Sequence, residues 1–204
     1  MKKINGIFIE GKAWWTGFEV ESAKRRFRIE LNKINDPNII MLDESVHSKV
    51  FNSHKMPEKF IMHEEHKDYD NLLMCGKSLG AVNVYQTFKH LFDNHFEFLK
   101  SRKSITLVFA DAYGFVLEEN LIPYSHKKVI VIPDEWKKLS NLKIINAYQR
   151  VRLDPFMGAY MVGADKQYEF KKCDNKDFND EPHMNFMAHS DWKKVINNVM
   201  ENFR

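Results

Sequence analysis

A chain of 204 residues with 44% hydrophobic, 13% aromatic and 29% charged side chains is long enough for one domain with a real core, and it has neither the polarity of a disordered chain nor the apolarity of a membrane-embedded one. Its formal charge of +3 arises from 31 Lys+Arg against 28 Asp+Glu dispersed along the sequence, so no basic stripe is offered to a phosphate backbone and nucleic acid is not an expected partner. Two cysteines imply no disulfide framework, no apolar run approaches the ~20 residues of a membrane helix, and the apolar stretch near the N-terminus is broken by Glu10 and Lys12; one domain over 1–204 and a cytoplasmic address are expected, with oligomeric state open.

In chain order, "INGIFIEG" (4–11) reads as a short β-branched strand closed by Gly11, followed by the loop "KAWWTG". Val20, Ala23, Phe27, Leu31 and Ile34 recur at helical spacing over 19–35, and "NDPN" stops them. "NIIMLDES" (38–45) reads as a strand, and 46–70 as a helix with irregular flanks. "NLLMC" (71–75) is a nearly continuous apolar strand of the kind buried on both faces of a parallel sheet. Residues 79–99 then carry Val82, Tyr85, Phe88, Leu91, Phe92 and Phe96 at helical intervals, a stripe best read as core. "SITLVFAD" (104–111), "KKVIVIP" (127–133), "LKIINAY" (142–148) and "YEFKK" (168–172) are further strand candidates. "DPFMGAYMVGAD" (154–165) suits a mobile flap or a hairpin. A closing helix over 191–203 puts Trp192, Val195, Ile196, Val199 and Met200 on one face. Strands alternating with helices predict a mostly parallel central sheet covered on both faces, with chemistry at the carboxyl ends of the strands.

"CGKSLGA" (75–81) interrupts this alternation between the apolar strand and the helix. It fits GxSxG, in which a tight strand-to-helix turn forces the serine into strained geometry with its hydroxyl above the sheet, and glycine two positions either side relieves the crowding. Five letters alone are weak, since turns collect glycine and serine; the strand before and the amphipathic helix after supply the required setting. The Leu79 amide would lie at a helix N-terminus, where unpaired donors and the dipole favour a developing oxyanion. A phosphate-binding loop is poorly supported because the Gly-x4 spacing before "GKS" is absent.

On "CGKSLGA", "IFIEGKAWW", "VFADAYGF" and "PHMNFMAHSDWKKVINNV" the chain resembles the α/β-hydrolase superfamily, especially its small serine esterases and lipases with little lid. The resemblance implies an α/β-hydrolase fold with minimal or no cap domain, a Ser-Asp-His triad, an acyl-enzyme intermediate, and a small-molecule acyl ester or lipid-like substrate. It implies no metal and no organic cofactor. A second oxyanion amide would come from the loop after the first strand, at Lys12 beside Ala13, although Glu10 and Gly11 stand where the superfamily often has His-Gly.

A serine hydroxyl needs a base, and the base needs a carboxylate to fix its tautomer. The order in this fold is serine, acid, histidine. Six of the nine histidines precede or closely follow Ser78, which leaves His126, His183 and His189. His183, after Pro182 and about a dozen residues before the final helix is under way, resembles the histidine loop of small lipases. His189 is the alternative base, next to Ser190, a plausible cap, and His126 reads as a surface residue. For the acid, Asp111 ends the apolar strand and resembles the strand-end aspartate of a subset of lipases; Asp154, after the next core strand, is the alternative and Asp165 a third.

Trp14 and Trp15 either line an acyl pocket or pack against the first helix. "HEEH" (63–66) lacks the zinc-protease spacing and a third ligand, and reads as a solvated charged helix. The reading is a serine hydrolase of carboxylic esters or thioesters; the alternatives are an acyltransferase or thioesterase with the same triad, or a non-catalytic binding protein on the same fold.

Overall fold

The computed structural model describes residues 4–9, 37–42, 58–59, 61–63, 68–112, 129–149, 160–170 and 191–203. Six strands form one sheet: β1 (Ile4–Ile9), β2 (Pro37–Leu42), β3 (Asn71–Lys77), β4 (Ser104–Ala110), β6 (Leu142–Gln149) and β8 (Lys166–Phe170). Their spatial order is β2-β1-β3-β4-β6-β8 and every pairing is parallel. The expected parallel sheet is therefore present, with β3 and β4 at its centre.

Burial explains the near-continuous apolar runs. All seven residues of β3 are buried, because alternate side chains enter different cores. Leu72 and Met74 join Leu107, Phe109 and Ile144 on one face, while Leu73 and Cys75 join Val108, Ala110, Ile145 and Ala147 on the other. Cys75 packs as a small apolar side chain, and burial pushes its thiol pKa up, so it is held as an unreactive thiol.

Among the described residues, helices cover both faces. Helix α1 (Leu79–Asn94) lays Ala81, Val84, Tyr85, Phe88 and Leu91 on the first core. There Trp136, from the 3-10 turn Asp134–Lys138, meets the Phe88 ring edge-on at 4.6 Å and the Tyr85 ring at 5.0 Å. Each such fully buried large side chain contributes roughly 1.5–3 kcal/mol relative to exposure. A break at His95 separates α1 from the short α2 (Phe96–Lys100), so the apolar stripe expected as one helix over 79–99 occupies two. Helix α3 (Trp192–Glu201) covers the second face with the residues its periodicity selected, Trp192, Val195, Ile196, Val199 and Met200. It starts from Asp191, whose side chain makes no capping bond but pairs with Lys194 at 2.7 Å; Ser190 lies outside the described residues.

Two expectations change. β5 (Val129–Val131) is not part of the main sheet: it pairs in parallel with β7 (Tyr160–Val162) as a separate two-stranded ribbon. Its alternation gives the reason, since Ile130 and Ile132 are buried while Val131 is 63% exposed, a one-sided pattern that a central parallel strand does not have. Of the stretch 154–165, residues 154–159 lie outside the described residues, and Tyr160–Val162 pairs with β5. β8 begins at Lys166, two residues earlier than the sequence suggested; it is an edge strand with only Phe170 fully buried, so its apolar signal is weak. The helix expected over 19–35 lies outside the described residues.

Candidate active site

β3 ends at Lys77 and α1 begins at Leu79, which leaves one residue for the bend. Ser78 makes it. Its N–H donates to the Ala110 carbonyl at 3.0 Å, the last rung between β3 and β4, and its carbonyl accepts from Ala81 N–H at 3.1 Å, the first turn of the helix. Joining an extended strand to a helix within one residue puts Ser78 at φ 56, ψ −123, backbone that side chains with a Cβ rarely adopt. Holding it there costs on the order of 1–3 kcal/mol, which the flanking strand and helix must offset.

The same turn folds the helix back over the strand. A Cβ at Gly76 would lie 2.2 Å from the Gly80 carbonyl oxygen and 2.6 Å from the Ala81 nitrogen. Both are backbone atoms that cannot rotate aside, so only glycine fits at position 76. The Leu79 amide opens a 16-residue helix; the first N–H groups of a helix have no partner within it and carry the positive end of its dipole. Ser78 itself is 5% exposed.

A second bend stands beside the first. Lys77 pairs with Ala110 in the parallel register, so the next row holds Ser78 and Asp111 on adjacent strand ends, about 4.8 Å apart between backbones. Asp111 donates its N–H to the Ala147 carbonyl at 2.7 Å, completing the rung to β6, and then turns to φ 46. Its side chain is fully buried. Among the described residues, Ser78 and Asp111 are the only non-glycine residues at positive φ, and they occupy neighbouring places at the carboxyl rim. The sequence did not announce the second bend except through residue type: aspartate is one of the few side chains that tolerate this conformation.

Asp165 is excluded as the acid. Its Oδ2 accepts the Ile144 N–H at 2.7 Å while its own N–H donates to the Ile144 carbonyl at 2.9 Å, tying the start of β8 to the start of β6. Ile144 stands in the row of Leu107 and Met74, four rows before Ser78, which places Asp165 about 13 Å down the strands toward the amino edge. Lys12, Trp14, Trp15, His126, Asp154, His183 and His189 lie outside the described residues, as does the Leu79 side chain. Of "HEEH", only His63 is described, and it is exposed.

An all-parallel six-stranded sheet of this order, helices on both faces, and a serine bend leaving the strand third in the sheet constitute the α/β-hydrolase fold. No family model and no curated protein matches the chain. Among solved structures, YbtT, a type II thioesterase from the yersiniabactin biosynthetic pathway, is similar over 98% of this chain and 94% of its own, with 9% identity and a TM-score of 0.46. At so low a likeness the fold rests on the strand order and the bend of this chain itself. No described helix is long and apolar enough to cross a membrane.

Proposed function

We propose that the protein is a serine hydrolase that cleaves carboxylic esters or thioesters through an acyl-enzyme on Ser78. The observation that carries this reading is the backbone of Ser78, strained at φ 56 and ψ −123 at the carboxyl end of a central parallel strand, with Gly76 as the only residue that fits beneath it. A serine with no chemical task has no need of that conformation. Any residue free of steric demand, glycine above all, would occupy the bend at lower energy.

In the proposed reaction the Ser78 hydroxyl attacks the acyl carbon and its proton passes to His183. The Asp111 carboxylate holds the imidazole in the tautomer that accepts this proton and stabilises the imidazolium. The carbonyl oxygen becomes an oxyanion facing the amides of Leu79 and Lys12, at a helix N-terminus where donors are already aligned. The alcohol or thiol leaves with the proton from His183. Water, deprotonated by the same imidazole, then releases the acid and restores Ser78. Trp14 and Trp15, two and three residues beyond Lys12, would line the acyl pocket. The chemistry requires no metal and no organic cofactor.

The test is turnover of nitrophenyl esters and of short acyl thioesters by the purified chain. Ser78→Ala and His183→Ala should each lose at least about 10³-fold in kcat, while His189→Ala retains most of it. Full activity in His183→Ala with loss in His189→Ala would transfer the base to His189, and full activity in Ser78→Ala would end the proposal.

A further inference from the structure

At the far end of α1, away from the serine bend, three side chains with metal-ligand chemistry meet. The helix ends at Asn94, and His95 leaves helical geometry at φ −135, ψ 39 while its N–H donates to the Leu91 carbonyl. Five residues along an unbroken helix would put His90 and His95 about 140° apart around the axis. The break instead brings their rings to 6.2 Å between centroids. Glu58 faces both from a separate helical turn, closed by the Met62 N–H donating to the Glu58 carbonyl at 2.9 Å. One carboxylate oxygen, Oε1, lies 3.1 Å from His90 Nε2 and 3.0 Å from His95 Nε2. The candidate donor atoms of the three residues lie within 4.8 Å of one another, and the side chains are 22%, 31% and 34% exposed for Glu58, His90 and His95.

We propose that Glu58, His90 and His95 form a site for a divalent transition-metal ion, zinc by preference, with water in the fourth position. Two imidazoles and one carboxylate are a donor set that zinc takes readily. Bonds of about 2.0–2.2 Å at tetrahedral angles separate the donor atoms by roughly 3.3 Å, so the observed 3.0 and 3.1 Å need adjustments of only a few tenths of an ångström. Coordination through Nε2 leaves the ring proton on Nδ1.

The site is not catalytic. His90 is eleven residues beyond Leu79, about 17 Å along the helix from the serine bend. The ion would act as a staple: it joins the α1–α2 junction to the turn at Glu58, and the fully buried Ile61 on that turn accepts the Asn5 side-chain amide of β1 through its carbonyl, at 3.5 Å. "HEEH" drew attention to the adjacent stretch, but the ligands proposed are the glutamate five residues before it and two histidines some thirty residues on.

The experiment titrates the metal-stripped full chain with Zn²⁺ by calorimetry and with Co²⁺ by visible absorption, which reads ligand number and type. Expected are one tight ion per chain, a rise in melting temperature on zinc addition, and an affinity lower by about tenfold or more in Glu58→Gln, His90→Ala and His95→Ala. His63→Ala/His66→Ala should leave that site unchanged. Glu58→Gln is isosteric, and it carries the comparison if the histidine variants do not fold. Zinc affinity equal in the native chain and in Glu58→Gln overturns the proposal, as does loss of the tight site in His63→Ala/His66→Ala alone.

Discussion

Replacing Ser78 by glycine should make the protein more stable and inactive at once. An L-residue in left-handed backbone costs on the order of 1–3 kcal/mol, and Ser78 holds φ 56. Glycine removes that cost but loses about 0.5–1 kcal/mol through the extra freedom it gives the unfolded chain. The net gain is about 0.5–1.5 kcal/mol, a rise of roughly 2–5 °C in Tm for a chain of this size. Ser78→Ala keeps the Cβ and therefore the strain, so its Tm should stay within about 1 °C of the native value. Thermal melts and urea titrations of the three proteins, alongside nitrophenyl ester turnover, separate backbone strain from the hydroxyl. A Ser78→Gly protein no more stable than Ser78→Ala would refute the claim that this serine is held against its conformational preference.

Gly76→Ala should lower Tm by several degrees or prevent folding, because its Cβ would meet the Gly80 carbonyl oxygen at 2.2 Å and overpacking against fixed backbone costs at least about 2 kcal/mol; a melt equal to the native one would show the elbow to be open. Asp111→Asn should keep the fold and lose on the order of 10⁴-fold in kcat, whereas Asp165→Asn, at the other edge of the sheet, should leave kcat unchanged and cost about 1 kcal/mol of stability. Burial foremost, with Glu135 adding to it, holds the Tyr85 hydroxyl protonated up to a pKa of about 12, against an ordinary 10.0. Because the folded pKa is raised, the associated stability is fully present below pH 10 and is lost as pH climbs from 10 to about 12, when the unfolded tyrosine ionises first. Tyr85→Phe should flatten that alkaline slope, and an unchanged slope would assign it to other groups.

The features legible in the sequence were those that sterics or burial write locally. Gly76 had to be glycine beside a one-residue bend, and residues 72–75 had to be apolar because both faces of β3 are covered. The face of α3 followed from 3.6-residue spacing alone. What was not legible depends on partners distant in the chain. Val129–Val131 looks like a sheet strand until its pairing with Tyr160–Val162 is known. Asp165 stood as a third candidate acid until the register put it toward the amino edge, bonded to Ile144. His90 and His95 sat inside an apparently continuous helical stripe. Only the break at His95 and the arrival of Glu58, from a stretch without clear periodicity, bring them together. Asp111 falls between these cases, since its position at a strand end was readable but its backbone turn, parallel to that of Ser78, was not.

The central claim is that Ser78 is a nucleophile, and covalent capture tests it most directly. The native chain is incubated with a fluorophosphonate, weighed intact and mapped by peptide. A single adduct on Ser78 is expected, absent from Ser78→Ala and formed much more slowly in Asp111→Asn. No adduct on the native chain, or one that persists in Ser78→Ala, would contradict it.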